Sequence, residues 1–156
     1  MSEQSQEIIS QAVESYQTGR LDDAIQLSRQ AIDLDERDAG AYSMLGVCLS
    51  QAGRFDEATE ALQRAIRSAP YVATHYYNLA LHYNRMGDKH DAITMCQEAI
   101  RTDGKHRRAH ELLRRLETET KVEIAPYTTS LGDQRGAAYR YGAEADQAGG
   151  PEKEEA

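Results

Sequence analysis

Residues 39–72, AGAYSMLGVCLSQAGRFDEATEALQRAIRSAPYV, decide the fold because the chain repeats their pattern. The next 34 residues, ATHYYNLALHYNRMGDKHDAITMCQEAIRTDGKH at 73–106, follow the same pattern, and residues 5–38 hold a weaker copy. Such a period indicates one supersecondary unit stacked on copies of itself. Four columns keep the interval of 34 without a gap: Gly19, Gly53, Gly87; Ala24, Ala58, Ala92; Ala31, Ala65, Ala99; and Ile32, Ile66, Ile100.

The pattern inside each unit predicts two helices with a break between them. Apolar residues recur at intervals of three and four, as Tyr42, Leu45 and Leu49 do, which is the periodicity of a helix. The glycine column marks the break, since glycine reaches the left-handed conformation that ends many helices. Acidic residues soon after each glycine suit the first turn of a second helix. Helices are therefore predicted over about 3–18, 22–35, 39–52, 56–69, 73–86 and 90–102.

The units also resemble a known family, the tetratricopeptide repeat (TPR), whose pattern is W-x2-L-G-x2-Y, then A-x3-F, a small residue and a proline. The third unit keeps much of that pattern and the first is degraded. The resemblance implies an all-α, right-handed α-solenoid of three helix-turn-helix units, TPR 1 at 5–38, TPR 2 at 39–72 and TPR 3 at 73–106. In the middle unit the matching residues are Tyr42, Leu45, Gly46, Leu49, Ala58, Leu62, Ala65 and Pro70.

Beyond the third unit the sequence predicts a capping helix and then a disordered tail. Residues 107–121 continue the helical spacing of apolar residues without a partner helix, so they would close the last exposed face of the array. Residues 125–156 hold five of the eleven glycines, two of the three prolines and few large apolar residues. Such a segment buries too little apolar area to order itself, so an acidic, Gly-rich disordered tail is predicted there.

Charge is unevenly distributed along the chain. The net charge is −8, which argues against general nucleic-acid binding. Residues 101–115 are the exception, with six Lys and Arg against two acidic residues. Two interpretations of these basic residues stay open: a solvated face that complements the helix dipole, or a surface that binds an acidic partner or RNA.

Nothing in the sequence predicts a membrane span, a signal peptide or an enzyme. No apolar run reaches 18 residues, and the polar N-terminus lacks the pattern of a signal peptide. Cys48 and Cys96 are expected to be buried free thiols, which favours a cytoplasmic location. No catalytic motif is present, so we expect no enzyme activity and no cofactor. Neither histidine pair, His75 with His82 or His106 with His110, has the further ligands of a metal site.

If the chain follows the family, the first helices of the units line a concave groove. Its middle would be apolar and one end basic, which predicts an extended or helical peptide ligand with apolar side chains and an acidic residue near the arginines. Some of these residues could equally belong to the core. The predicted groove residues are Gln6, Ile9, Val13, Ser43, Met44, Val47, Tyr77, Asn78, Leu81, Arg85, Arg108 and Arg115.

The family's carboxylate clamp grips the acidic C-termini of heat-shock chaperones with two lysines, an arginine and two asparagines. Only Asn78 falls on such a position here, so no clamp is predicted. The other clamp positions hold Ile9, Val13, Met44 and Thr74.

The function that this pattern predicts is a peptide-binding adaptor or scaffold with a protein partner. Two alternatives stay open. In size, charge and repeat number the chain resembles class II chaperones of type III secretion, which hold apolar segments of client proteins. The chain could also be a self-assembling scaffold, a homo-oligomer regulated by its own tail, which would lie in its own groove or a neighbour's as an internal inhibitor. The tail residues that could do so are Tyr127, Leu131, Tyr139 and Tyr141.

Overall fold

The computed structural model describes the backbone of residues 2–135 and the side chains of residues 2–121, and within that part every regular element is a helix. The predicted all-α fold is therefore confirmed. The six helices predicted for the repeats begin and end within one residue of the observed ones. The helices are α1 Glu3–Gln17, α2 Leu21–Leu34, α3 Ala39–Gln51, α4 Phe55–Ser68, α5 Ala73–Met86, α6 Lys89–Thr102 and α7 Arg107–Arg135.

The glycine column ends the first helix of each unit in the same way. Gly19, Gly53 and Gly87 have φ angles of 78°, 78° and 89°, a left-handed conformation that strains other L-residues. After α1, the backbone N–H of Gly19 donates to the Tyr16 carbonyl at 3.1 Å, and the next N–H donates to the Ser15 carbonyl at 2.8 Å. This is the Schellman arrangement, and the same pair of bonds recurs after α3 and α5.

Small residues lie where the two helices of a unit cross most closely. A Cβ atom added to Gly46 on α3 would lie 2.5 Å from Cγ of Leu62 on α4, which is closer than real Cβ atoms come to a neighbour. The alanine columns serve the same purpose, because side chains of this size let two helix axes approach. All six residues of those columns are fully buried: Ala24, Ala31, Ala58, Ala65, Ala92 and Ala99.

The two cysteines lie in two hydrophobic clusters that join successive helices. Cys48 packs with residues of α2, α3 and α4, and Cys96 packs with residues of α5, α6 and the start of α7. Both are free thiols and buried, as predicted. Burial raises the pKa of each thiol from 9.0 to about 11, an effect that Arg115 partly opposes at Cys96. Both cysteines therefore stay protonated and unreactive at neutral pH.

The last helix differs from its predicted bounds. The chain divides into two compact parts, Met1–Leu116 and Glu117–Ala156, and α7 begins in the first of these parts. The helix continues to Arg135, whereas the sequence predicts an end at 121 and disorder from 125. Residues 117–124 contain no glycine or proline, which explains the first part of the extension. Nothing explains why the helix continues through Pro126, because proline lacks the N–H that the helical ladder needs.

The rest of the predicted tail, residues 136–156, lies outside the described residues. None of the described helices is both long enough and apolar enough to cross a membrane.

Candidate functional site

The first helices of the units form one continuous surface, which we call the inner wall (α1, α3 and α5). Within residues 1–116, α1 packs against α3, and α3 packs against α5. No comparable contact joins α2 to α4 or α4 to α6 in the described part of the chain, and an open cleft of about 510 Å³ lies between α2 and α4. An array whose first helices touch while its second helices diverge curves toward the first helices. The inner wall is therefore the concave side.

The predicted groove residues differ in how much of each side chain the fold leaves accessible. Those at the two ends of the set are exposed, Gln6 at the N-terminal end and three arginines, Arg85, Arg108 and Arg115, at the other. Between them the apolar residues are half-buried. These are Ile9, Val13, Met44, Val47, Tyr77 and Leu81.

Some of these half-buried residues belong partly to the core. Met44 packs against the cluster around Cys48, while Tyr77 and Leu81 pack against the cluster around Cys96. Neither cluster includes Val47. Met44 therefore supports the fold as well as the wall, and a charged substitution there would disturb both.

The polar pair in the middle of the wall joins two helices. Nδ2 of Asn78 on α5 donates a hydrogen bond of 2.9 Å to Oγ of Ser43 on α3. Ser43 is only 6% exposed, so its hydroxyl lies between the two helices. The expectation that Ser43 lines the groove is corrected here, because its hydrogen bond to Asn78 turns it inward.

A second set of contacts holds the basic end of the wall. The ring of Tyr77 lies 5.3 Å from the ring of His106, between centroids. His106 caps α7, since its Nδ1 accepts a hydrogen bond from the backbone N–H of Ala109 at 3.2 Å. Burial raises the pKa of the Tyr77 hydroxyl, and the charges of Arg108 and Arg115 partly oppose this. Both arginines therefore lie close enough to act on Tyr77.

A buried histidine links α3, α4 and α5 behind the wall, a feature that the sequence analysis missed. His82 is 1% exposed, its Nδ1 lies 2.8 Å from Oγ of Ser50, and its Nε2 lies 2.7 Å from Oγ1 of Thr59. Thr59 in turn donates to the carbonyl of Phe55 at 3.0 Å. The signal in the sequence was Thr59, a polar residue in a column that holds Ile25 and Ile93 in the other two units, which could have indicated a buried hydrogen bond.

Acid should destabilise the fold through its two buried histidines. Burial lowers the pKa of His75 and His82 below 6.5, and the charge of Arg85 lowers that of His82 further. The unfolded chain binds protons at these sites near pH 6.5 and the folded chain does so only at lower pH. The stability is thus complete above about pH 6.5 and falls as the pH drops below it.

The measurement is the melting temperature between pH 8 and pH 5. We expect it to fall on the acidic side, and we expect His82→Gln to reduce that fall. His90→Gln is the matched control, because His90 is exposed on α6 and should leave the profile unchanged. A wild-type profile that stays flat to pH 5 would contradict the assignment.

Two further clefts are lined by none of the predicted groove residues. One of about 430 Å³ lies between α1 and α2, and its lining is largely polar, with Gln11, Gln26 and Gln30 among its residues. Another of about 460 Å³ lies where the α2–α3 and α4–α5 connections meet. Among the residues described, no three His, Cys, Asp or Glu side chains are grouped so that they could hold a metal ion.

Comparison with known proteins identifies the repeat. Two sequence models of the tetratricopeptide repeat match this chain, one over residues 15–80 and the other over residues 72–102. The chain belongs to the tetratricopeptide repeat family. It is 32% identical to the rhomboid protease GluP of Bacillus subtilis (strain 168) over 116 residues. This match covers 74% of the present chain. The chain spans only 23% of the length of that relative, so the protease activity named there is not transferred to it.

Solved TPR structures share the fold. The Sgt2 TPR domain from Aspergillus fumigatus matches with a TM-score of 0.72 at 20% identity, covering 81% of this chain and 83% of that one. The first TPR of Spaghetti (RPAP3), bound to the HSP90 peptide SRMEEVD, matches with a TM-score of 0.69 at 12% identity, covering 77% and 95%. At these identities the likeness shows the TPR fold alone.

Proposed function

We propose that this TPR chain is a protein-interaction module whose inner wall binds an apolar segment of a partner protein, as an adaptor or scaffold does. The observation that supports this is an apolar strip formed by Val13, Val47 and Leu81, which occupy the same position in the three units, 34 residues apart. All three are half-buried on helices of the inner wall, so each keeps part of its apolar surface accessible. An extended or helical peptide is the ligand that such a strip suits.

The polar contacts of the wall argue against a ligand of the carboxylate-clamp type, which is an acidic C-terminus. Asn78 is the one residue on a clamp position, and its amide group already donates to Ser43. The RPAP3 structure shows that a related fold holds a peptide, which supports the class of ligand. The segment proposed for this chain differs because apolar side chains, not carboxylates, would make its main contacts.

The two alternatives from the sequence keep their status as predictions. A secretion-type chaperone would use the same apolar strip for a client segment, and no contact among the described residues favours it over an adaptor. Autoinhibition by the tail concerns residues 136–156 in part, which lie beyond the described chain.

Peptide selection tests the proposal directly on the inner wall, whatever the partner protein is. A random library of 12-residue peptides displayed on phage is selected on the wild-type protein, and the enriched peptides are then measured on a groove variant, Val13→Glu with Val47→Glu. Apolar peptides that bind the wild-type protein but not the groove variant support the proposal. Peptides that bind both proteins equally, or no enrichment at all, would contradict it.

A further inference from the structure

Arg85, at the end of the inner wall, is held in place by two uncharged acceptors. Its Nη1 donates to Oγ of Ser50 at 2.7 Å and its Nη2 donates to Oε1 of Gln51 at 2.9 Å. Other arginines of the repeats pair with acids, as Arg54 does with Glu57 and Arg29 does with the same carboxylate. Within the described part of the chain, no carboxylate forms an ion pair with Arg85. Its side chain is therefore fixed while its charge stays available.

The hydrogen bonds behind Arg85 have a single consistent direction. Thr59 donates its one hydroxyl proton to the Phe55 carbonyl, so its oxygen accepts from Nε2–H of His82. A neutral imidazole protonated on Nε2 has its lone pair on Nδ1, so Ser50 must donate to Nδ1. The Ser50 oxygen then has its lone pairs free for the Nη1–H of Arg85. The tautomer of His82 thus sets the acceptor that holds the guanidinium.

We propose that Arg85 is a preformed binding site for an acidic side chain of the segment on the inner wall, and that His82 acts through Ser50 as its positioning residue. This rests on the proposed function, because the segment must first lie on the apolar strip. Arg85 follows Leu81 by four residues, one turn along the same helix, so a peptide that contacts Leu81 reaches it directly.

The chemistry of the guanidinium favours a carboxylate. The guanidinium has five N–H donors. One N–H on Nη1 and one on Nη2 form hydrogen bonds with Ser50 and Gln51. Hydrogen bonds from a guanidinium to a carboxylate are stronger than those between neutral groups. A side chain already held in one position loses less conformational entropy when the ligand binds. Aspartate or glutamate is therefore the expected partner residue.

The same network makes this contact sensitive to pH. The groups in contact with the imidazole from α3 and α4 are uncharged, namely Ser50, Thr59, the Phe55 ring and the Phe55 backbone, whose hydrogen bond raises the pKa of His82. The charges that act on it are those of Arg85 and Asp88, with the Tyr83 ring 6.0 Å away between centroids. Protonation of Nδ1 would place a second cation on the Ser50 oxygen and leave the buried hydroxyl proton without its acceptor. Arg85 would then lose its fixed position.

The first test is a double-mutant cycle between the protein and an enriched peptide from the 12-residue library. Replacing the acid of the peptide with its amide, or Arg85→Gln in the protein, should each weaken binding about tenfold or more. The two changes together should weaken it no further than either alone. Arg67→Gln on α4 is the matched control and should leave the affinity unchanged.

The outcomes separate the two proposals. Apolar peptides that bind the inner wall without an enriched acidic position would overturn the role of Arg85 and leave the groove intact. Additive losses in the cycle would also overturn it. Peptides whose binding ignores the groove variant would instead contradict the proposed function itself.

The second test addresses His82. We expect the wild type to lose about tenfold in affinity for the acidic peptide between pH 7.5 and pH 5, where an aspartate of the peptide stays ionised. His82→Gln, whose amide can accept from Ser50 and donate to Thr59, should bind as well at pH 7.5 and keep its affinity at pH 5. A wild-type affinity that does not change with pH would overturn the positioning role.

Nitrogen-15 NMR of the wild-type protein keeps the test informative even if the variant folds poorly. At pH 7.5 the spectrum should show His82 neutral and protonated on Nε2. A proton on Nδ1 would contradict the hydrogen-bond directions on which the proposal depends.

Discussion

Replacing Leu62 with alanine should lower the free energy of unfolding by about 2–5 kcal/mol. The Leu62 side chain is fully buried and fills the crossing of α3 and α4, where Gly46 offers no side chain that could move into the space. The cavity would therefore remain. The stability of a repeat array is roughly a sum over the repeats and the interfaces between them. Damage to the middle repeat therefore weakens its interface with the repeat before it and its interface with the repeat after it.

Urea unfolding followed by circular dichroism measures this loss. The matched control is Leu34→Ala, the same chemical change at a residue that is 48% exposed at the end of α2. An exposed position of this kind should change the free energy of unfolding by roughly 0.5 kcal/mol or less. Equal losses at the two leucines would contradict the assignment of Leu62 to the crossing.

The groove variant Val13→Glu with Val47→Glu should lower the affinity for selected apolar peptides by at least about a hundredfold. Each substitution places a carboxylate where the peptide would cover it, and burying an unpaired charge costs several kcal/mol. These two residues are better probes than Met44 and Leu81, which also pack against the hydrophobic clusters. A loss of affinity caused by substituting Val13 and Val47 is therefore easier to distinguish from a loss caused by unfolding.

The control for this prediction makes the same chemical change off the wall. Leu34 and Tyr71 are exposed apolar residues, 48% and 78% accessible, and Leu34→Glu with Tyr71→Glu adds the same two charges. This variant should keep the affinity of the wild type. Helix content and the urea midpoint of both variants should stay close to those of the wild type. An equal loss of affinity in the two variants would mean that added charge, not the inner wall, is responsible.

The repeat and its helices could be predicted because the residues that fix them act locally. Gly53 determines the end of α3 through its own φ angle, and Pro70 disfavours a continuation of α4. Gly46 marks the helix crossing because only a residue without a Cβ fits against Leu62. The apolar strip follows from the same register, since Val13 and Val47 repeat at the same interval of 34.

The rest of the site depends on contacts between residues far apart in sequence. Periodicity places Arg85 on the wall, but it does not show that Ser50 and Gln51 hold it. Likewise, nothing local in the sequence shows that Ser43 bonds to Asn78 and is turned away from the groove. The length of α7 was missed because Pro126 predicts an end that the helix does not have.

The most direct test of the inner wall as the binding surface is an NMR titration of the isotope-labelled protein with one enriched 12-residue peptide. We expect the amide signals that shift to cluster on α1, α3 and α5, with Val13, Val47 and Leu81 among them. Shifts concentrated instead on α2 and α4, around the 510 Å³ cleft between those helices, would contradict the inner wall as the binding surface.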